Sequence, residues 1–306
     1  MVPPARALLA PRLGRRVSAY TRPVTSTKTL RQLLQGEPFM AGDCYSALTA
    51  RIIQMVGFPA AYMGGHSTGM MHYAIPDYGV FTPTEMIEQA GRVAEAIDIP
   101  LIVDADEAGV TVDSIYRTVR RYERAGVAGI HIEDEAHPKH SPLDAPLIPV
   151  ADMQSRISAA VNGRRSDEFV VIARCNEFQV PNAGGTGSLD EAVKRAVAYA
   201  EAGADAFLPP FATAEHIAAL AKEVDIPIGG YGPLLPHMGF SLFTGYGTAV
   251  AARAHLEMSQ YVLEHGTLPE GFEGVPNKRD LLEESVYDDQ IRGWAERTGR
   301  PVRDLP

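Results

Sequence analysis

The sequence contains few cysteines. Only Cys44 and Cys175 occur among its 306 residues, and two cysteines are too few for a disulfide framework or for a zinc site built from cysteine alone. The usual setting for such a chain is a reducing compartment, so we expect a cytoplasmic protein.

The sequence also lacks a basic excess and long apolar runs. Its net charge of −10 argues against non-specific nucleic-acid binding, which requires a basic surface. No stretch approaches the ~20 apolar residues that cross a bilayer. We therefore expect no nucleic-acid partner and no membrane partner.

The N-terminal part of the chain differs from the rest in charge. Residues 1–36 include seven basic residues and no acidic residue. We interpret residues 1–28 as a flexible extension. Because it is rich in arginine and free of acids, it resembles an organelle transit peptide, and the alternative localisation is therefore the mitochondrial matrix.

The rest of the sequence alternates regularly between strand-like and helix-like segments. Apolar runs typical of buried parallel strands are separated by amphipathic, capped helical segments. This alternation predicts a (β/α)8 TIM-type barrel over residues 29–265, followed by a C-terminal loop and helices over residues 266–306 that pack on the barrel or a neighbouring subunit. A doubly wound sheet is the second choice, because the first strand is not followed by a glycine-rich phosphate loop. The predicted strands are Phe39–Gly42, Ala60–Met63, Leu101–Asp104, Gly129–Ile132, Val170–Arg174, Ala206–Leu208, Ile226–Ile228 and a weak one near Phe240–Gly245.

Acidic residues follow two neighbouring predicted strands. One apolar strand ends in Asp104 and Asp106, which share a side because side chains alternate along a strand. The next strand ends in the run Glu133-Asp134-Glu135. Two carboxylates this close are costly unless they share a cation or a proton. Acids at the carboxyl ends of successive barrel strands therefore predict a site for a hard cation.

Six short motifs, in this order and spacing, resemble the isocitrate lyase / phosphoenolpyruvate mutase superfamily from about Thr29 to Leu263. The resemblance implies a (β/α)8 barrel with a swapped C-terminal helix, a homotetramer, a small carboxylic acid as substrate, and Mg²⁺ or Mn²⁺ as cofactor. The motifs are Gly42-Asp43 with Ser46 to Arg51, Tyr62 to Gly65, Ile75 to Gly79, Val103 to Asp106, Ile132 to Asp134 with Pro138-Lys139, and Ile172 to Arg174.

The resemblance also implies which residues hold the metal. Asp104 matches the direct metal ligand, and the acids that hold metal-bound waters are matched by Asp77, Asp106 and Glu133. This division is chemically reasonable because Mg²⁺ keeps several waters and takes few direct carboxylates. From the sequence alone, Asp134 or Glu135 remains an alternative to Glu133 as the inward-pointing acid.

The substrate-binding and catalytic residues are implied in the same way. The backbone N–H groups of the turn at Gly64, Gly65 and His66 match those that bind the substrate carboxylate. Arg174 matches an arginine that pairs with a substrate oxygen, for which its planar fork is suited. Lys139 lies on a segment, Glu135 to about Ile148, that closes as a gating loop in the family. Tyr45 is a pocket-wall candidate because it follows the first strand.

The sequence departs from the family at the gating loop and at the far end of the substrate pocket. Ser141 takes the position of a cysteine that donates a proton in the lyase branch. A serine hydroxyl has a much higher pKa than a thiol, so His140 is the alternative acid. A substrate-contacting glutamate expected after the sixth strand is replaced in Pro209-Pro210. An asparagine expected on the seventh strand is absent from the residues 226–232.

We expect a Mg²⁺-dependent C–C lyase or decarboxylase that acts on a small 2-oxo or 2-hydroxy (di)carboxylic acid. The metal and Arg174 would stabilise the enolate that forms when the bond breaks. The absent loop cysteine makes the oxaloacetate-decarboxylating branch a closer match than isocitrate cleavage. One alternative is a C–P mutase or hydrolase of the phosphonopyruvate type, which also lacks this cysteine. Another is a barrel that binds a metabolite without catalysis.

Overall fold

The computed structural model describes residues 29–140, 146–180, 183–272, 274 and 278–302. The described residues up to Ala252 form one compact unit, and those from Arg253 onward belong to a second. The predicted extension, residues 1–28, lies outside the described residues, and so does Ser141.

A sheet of parallel strands forms the centre of the first unit. Each strand pairs with the next along the chain from β1 to β6, and β7 pairs with β1. The structure confirms the strands predicted from the apolar runs as β1 to β6, and the weak strand predicted near Phe240–Gly245 as β7. The strands are β1 (Phe39–Asp43), β2 (Ala60–Met63), β3 (Leu101–Asp104), β4 (Gly129–Glu133), β5 (Val170–Arg174), β6 (Ala206–Leu208) and β7 (Phe240–Phe243).

The predicted strand Ile226–Ile228 and the residues that follow it, up to Tyr231, join the two edges of this sheet. They form two separate parallel β-bridges, from Ile228 to Phe207 of β6 and from Tyr231 to Leu242 of β7. A longer ladder is disfavoured because Pro227 has no N–H to donate. With β6 and β7 connected in this way, the sheet closes into the α/β barrel that the sequence predicts.

Helices connect successive strands on the outside of the sheet. Several begin with the predicted caps: Thr82 accepts a hydrogen bond from the Glu85 N–H, and the Glu85 side chain bonds back to Thr82. Ser188 accepts from the Glu191 N–H. The α-helices that lie wholly within the first unit are α1 (Leu30–Leu34), α2 (Ala47–Val56), α3 (Gly65–Thr68), α4 (Pro83–Glu95), α5 (Val112–Arg124), α6 (Val150–Gly163), α7 (Leu189–Glu201) and α8 (Ala214–Leu220).

The strands are buried on both faces. Ile102, Val170 and Ile172 pack with one another inside the barrel, whereas Val103 and Val171 pack outward beneath the helices. Polar side chains on these strands are therefore expensive except where a strand ends or a partner is present. This explains why the acidic residues gather at the carboxyl ends of β3 and β4.

The remaining helices are α9 (Tyr246–His265), α10 (Lys278–Leu281) and α11 (Glu284–Thr298). The sequence predicts all three, with α10 and α11 placed near Lys278–Glu284 and Tyr287–Arg297. Within the described part of the chain, no helix has the length and apolar content to span a bilayer.

Candidate active site

Three neighbouring strands end at the same edge of the barrel in charged side chains. Asp104 is the last residue of β3, Glu133 the last of β4 and Arg174 the last of β5. Glu133 and Arg174 are also register partners in the sheet. All three side chains are buried, so each charge depends on the others and on a few polar neighbours.

Backbone N–H groups hold Asp104 in place. Its Oδ1 accepts from the Asp106 N–H at 3.1 Å, and its Oδ2 accepts from the Gly65 N–H at 3.1 Å. A Cβ atom on Gly65 would lie 3.2 Å from Asp104 Oδ2 and 3.5 Å from oxygens of Asp106 and Asp77. Three carboxylates thus converge on the Gly65 backbone, and part of the predicted substrate-binding turn serves to position Asp104.

Lys139 lies among the same carboxylates and is fully buried. Its ammonium donates to Asp106 Oδ1, lies 3.0 Å from Asp77 Oδ1 and 3.7 Å from Glu133 Oε1. We call Asp77, Asp104, Asp106 and Glu133 the acid cluster. The structure brings three of the four predicted metal-site acids within 4 Å of one ammonium, and the fourth, Asp104, meets Asp77 and Asp106 at the Gly65 backbone.

Arg174 closes the other side of the acid cluster. Its Nη1 lies 3.2 Å from Glu133 Oε2 and 3.8 Å from Asp104 Oδ2. Asn176 joins both partners: its side chain accepts from Arg174 Nε at 2.9 Å and donates to Glu133 Oε2 at 3.0 Å. Gln179 accepts from Arg174 Nη2 at 3.3 Å. Nε and Nη2 therefore each donate to a side-chain amide oxygen, and Nη1 faces two carboxylates.

The charges shift one another's pKa values. Burial by itself raises the pKa of Asp104, but the neighbouring His131, Lys139 and Arg174 bring it below its usual range. Burial also opposes ionisation of Glu133, yet Arg174 and Lys139 lower its pKa. Burial raises the pKa of Asp106, and although Lys139 opposes this shift, Asp104 adds to it. Asp106 therefore takes up a proton more readily than Asp104 or Glu133 does.

A buried aromatic layer lies beneath the charged groups. The hydroxyl of Tyr62 is 3.0 Å from His131 Nε2 and 3.5 Å from the hydroxyl of Tyr231. His131 Nδ1 lies 3.5 Å from Asp104 Oδ1. Burial lowers the pKa of His131 to about 4, so this histidine is neutral near pH 7 and carries the charge that acts on Asp104 only at lower pH.

The acids that follow Glu133 have other partners. Asp134 accepts from the Tyr199 hydroxyl at 2.7 Å and from Arg195 Nη1 at 3.1 Å. Glu135 accepts from the Asn176 side chain at 3.1 Å. Of the three acids, only Glu133 faces both Lys139 and Arg174.

The other predicted site residues are less closely joined to the cluster. The backbone N–H of His140 donates to Glu135 at 2.6 Å, and its ring lies 3.9 Å from Asp77 Oδ2. His66 is exposed and follows Gly65 on α3. Tyr45 is half-buried. Its ring would touch a Cβ on Gly247 at the start of α9.

Sequence reasoning missed Asn176, Gln179 and Tyr231 as members of the site. Asn176 could have been found, because it lies two residues after Arg174 and side chains two apart share a face. Tyr231 could not, because only barrel closure brings its ring to 5.7 Å from the Arg174 guanidinium carbon.

The acid cluster fits a hydrated divalent cation. Its donors are hard carboxylate oxygens, and among the described residues the buried Asp77 Oδ1 and Glu133 Oε1 accept no hydrogen bond, although the Lys139 ammonium lies 3.0 Å and 3.7 Å from them. Over the described residues, no three metal-binding side chains form a direct coordination cage. Mg²⁺ does not require one, because it is usually held by one or two carboxylates together with waters.

The fold and the site together define an α/β barrel whose mouth carries buried carboxylates opposite an arginine. The family model described as phosphoenolpyruvate phosphomutase matches residues 30–241. The chain belongs to this family, as its motifs indicate.

Curated relatives include lyases of several substrates. An isocitrate lyase of Haloferax volcanii is 38% identical over 202 residues, which are 64% of this chain and 57% of the relative. A 2,3-dimethylmalate lyase of Eubacterium barkeri is 37% identical over 179 residues, or 58% of this chain and 60% of the relative. The chain thus matches less than two thirds of the length of either relative.

Solved structures match over most of the barrel. The phosphoenolpyruvate phosphomutase from Streptomyces platensis subsp. rosaceus has a TM-score of 0.78 at 25% identity, covering 89% of this chain and 98% of that one. A phosphonopyruvate hydrolase in complex with oxalate and Mg²⁺ has a TM-score of 0.74 at 26% identity, with the same two coverages.

Proposed function

We propose that the protein is a Mg²⁺-dependent C–C lyase or decarboxylase of a small 2-oxo or 2-hydroxy (di)carboxylic acid. The observation that supports this proposal is the acid cluster facing Arg174 at the barrel mouth. A group of acids that are buried or partly buried calls for a cation, whereas the planar fork of a buried arginine suits a carboxylate or an enolate oxygen. A chelating oxo or hydroxy acid would use both.

The acid cluster would hold the metal ion. Asp104 is proposed as the direct ligand because two backbone N–H groups fix its carboxylate. Asp77, Asp106 and Glu133 are proposed to hold the waters of the ion. When bound, Mg²⁺ would polarise the oxygens of a chelating acid and favour negative charge on them.

Arg174 would bind and orient the substrate. Asn176 and Gln179 fix its guanidinium plane, so the group is preorganised and need not rearrange as charge develops on the substrate. Although burial opposes its charge, Glu133 raises the pKa of Arg174 well above its ordinary value. The guanidinium therefore stays protonated and acts through charge and hydrogen bonds.

His140 is proposed to hold a proton near the reacting carbon. Burial lowers its pKa, but Glu135 outweighs burial and the pKa is raised. The Gln179 side chain lies 3.2 Å from His140 Nδ1 and contacts Arg174 as well. This arrangement links the proposed acid to the proposed substrate-binding group.

The similar proteins support lyase activity in general, but they act on different acids and so do not identify the substrate of this protein. They include an isocitrate lyase, a 2,3-dimethylmalate lyase and an oxaloacetate decarboxylase, whose names specify dicarboxylic or tricarboxylic acids. The solved phosphonopyruvate hydrolase with oxalate and Mg²⁺ favours C–P bond cleavage as the second candidate.

The test compares Asp104→Asn with Asp113→Asn, a matched change of an exposed acid at the start of α5. Mg²⁺ binding is measured by calorimetry, and turnover by mass spectrometry on a panel of 2-oxo and 2-hydroxy acids. Asp104→Asn should weaken Mg²⁺ binding at least tenfold and abolish turnover, and Asp113→Asn should change neither.

The same panel separates the two candidate reactions. Phosphonopyruvate is included and followed by phosphorus NMR, where a new resonance would favour C–P cleavage over the leading proposal. If Asp104→Asn binds Mg²⁺ and turns over substrate as the wild type does, the metal site is wrong.

A further inference from the structure

Three segments on one side of the barrel mouth have no charged side chain of their own, although the buried carboxylate of Asp43, at the end of β1, accepts hydrogen bonds from the Gly245 and Gly247 N–H groups. They are residues 209–213 after β6, residues 229–236, which follow Ile228 and include Tyr231, and residues 243–247 after β7. We call these three segments the uncharged half. None of their residues is Asp, Glu, Lys, Arg or His, although the carboxyl ends of barrel strands are where polar functional groups usually gather.

Aromatic side chains are prominent on the uncharged half. Phe211 is 65% exposed and its ring meets that of Tyr231 edge-on, with centroids 6.4 Å apart. Phe243 and Tyr246 form a second edge-on pair at 5.9 Å, and both are exposed. Exposed aromatic rings at the mouth of a site are available to contact a ligand.

The backbone of Phe211 is strained. Its φ is 62°, in the left-handed region that glycine or asparagine adopts more readily than a bulky residue. Such strain is typical of residues held at functional sites. At Phe211 the strain holds a large apolar ring at the mouth, in contact with Tyr231 and not with the barrel core.

The uncharged half begins directly at Arg174. The guanidinium carbon of Arg174 lies 5.7 Å from the centre of the Tyr231 ring. The Tyr231 ring in turn meets the Phe211 ring edge-on. A substrate whose carboxylate or oxo group is bound by Arg174 would therefore extend toward Tyr231 and Phe211.

An anionic substituent would be poorly served there. The three segments supply no cation to pair with it, and removing a carboxylate from water without a partner is costly. A hydrocarbon substituent would instead gain from leaving water. An anionic group that takes part in the reaction belongs with Arg174 and the acid cluster, on the opposite side.

We propose that the uncharged half selects substrates that carry an alkyl or aryl branch beyond the chelating end, in place of a further anionic group. This rests on the proposed function, since it takes Arg174 and the acid cluster as the place of the chelating end. Phe211 and Tyr231 are the specificity-determining residues for that branch.

Two ligands that differ only at the far end provide the test. 2-Oxopentanoate and 2-oxoglutarate have the same five-carbon chain, which ends in a methyl group in one and a carboxylate in the other. Binding of each is measured by calorimetry at saturating Mg²⁺, with pyruvate as the ligand that lacks the extension. 2-Oxopentanoate should bind about tenfold more tightly than 2-oxoglutarate, because its terminal methyl group gains from leaving water whereas the terminal carboxylate would lose water without a cation to pair with it.

Variants at Phe211 locate the selectivity. Phe211→Gly removes the ring and relieves the backbone, so it should fold normally, weaken 2-oxopentanoate about fivefold and leave pyruvate unchanged. Phe211→Arg should reverse the preference toward 2-oxoglutarate. The control is Tyr116→Ala, which removes an aromatic ring on α5 that is stacked with Arg120 and lies outside the mouth; it should change no affinity.

The outcomes distinguish this inference from the proposed function. If pyruvate does not bind in the presence of Mg²⁺, the proposed function fails and the inference fails with it. If pyruvate binds but 2-oxoglutarate binds as tightly as 2-oxopentanoate, only the inference is overturned. The inference is also overturned if the ratio of the 2-oxopentanoate and 2-oxoglutarate affinities is the same in Phe211→Gly as in the wild type, even if the variant differs in oligomeric mass.

Discussion

The two halves of the barrel mouth are held together by different forces. On the charged half, formed by the acid cluster with Lys139 and Arg174, buried ions contact one another within 4 Å. On the uncharged half, aromatic rings at the ends of β6 and β7 pack at centroid distances of about 6 Å. The first arrangement is a network of charges, and the second is a set of separate contacts.

This difference determines how each half should respond to change. In a buried ion network, removing one member leaves its partners without compensation, so the effect exceeds the value of a single contact. Each aromatic contact adds only about 0.5–1.5 kcal/mol beyond the area it buries. The charged half should therefore control whether the protein reacts and folds, and the uncharged half which substrate it prefers.

The largest effect is expected for Arg174→Lys. The ammonium keeps the charge but loses the planar fork that contacts Glu133, Asn176 and Gln179. We expect kcat/KM to fall by about 10²- to 10³-fold, the usual cost of losing a preorganised group that stabilises negative charge. The measurement is steady-state kinetics on whichever acid the panel identifies.

A matched arginine far from the acid cluster is the control for this change. Arg164 pairs with Asp205 at 2.8 Å, and Arg164→Lys should leave kcat/KM within twofold. If Arg174→Lys keeps more than a third of the wild-type kcat/KM, the charged half does not control the reaction as proposed.

Lys139→Met should have the next largest effect, on stability. The variant keeps the buried hydrocarbon stem but leaves Asp77, Asp106 and Glu133 without their shared cation. Loss of one partner from a buried ion pair costs about 3–5 kcal/mol, and we expect the free energy of unfolding in EDTA to fall by about 3 kcal/mol. Added Mg²⁺ should then raise the Tm of the variant more than that of the wild type, because the cation stabilises the folded state.

The exposed pair of Lys194 and Glu191 supplies the control for Lys139. Their ions lie 3.1 Å apart on α7, and Lys194→Met should change the free energy of unfolding by less than about 0.5 kcal/mol. A Mg²⁺-induced Tm shift of the same size in Lys139→Met and wild type would show that the metal and Lys139 do not share the acid cluster.

The charged half could be predicted from the sequence because its signals are local. Asp104, Glu133 and Arg174 each end an apolar strand, and parallel strands bring their carboxyl ends to one edge. The capping pair Thr82 and Glu85 is local in the same sense, and the structure forms it. The side-chain period and the direction of the strands predict that these side chains meet, whereas Asp77, Lys139 and the role of Arg174 were implied by the family resemblance.

The resemblance placed Pro209-Pro210 and residues 226–232 at the far end of the substrate pocket. The contacts of the uncharged half could not be predicted, because they depend on how the barrel closes. Tyr231 lies on the segment that pairs with both β6 and β7 through single bridges, and no periodicity reveals a two-residue connection of this kind. Lys139 illustrates the same limit. Its place on a loop was predicted, but not that its ammonium would be buried among three carboxylates.

The smallest effect is expected for Tyr231→Phe, which separates the ring from its hydroxyl. The hydroxyl lies 3.5 Å from that of Tyr62, at the limit of a useful hydrogen bond, whereas the ring contacts both Arg174 and Phe211. Calorimetry with 2-oxopentanoate and Mg²⁺ should therefore show less than a threefold change for Tyr231→Phe. Tyr231→Leu, which removes the aromatic face, should weaken binding about tenfold, in line with ~1–2 kcal/mol for a desolvated cation–π contact. Equal losses in the two variants would mean that the hydroxyl, and not the ring, carries the contact, and that this part of the mouth acts through polar groups after all.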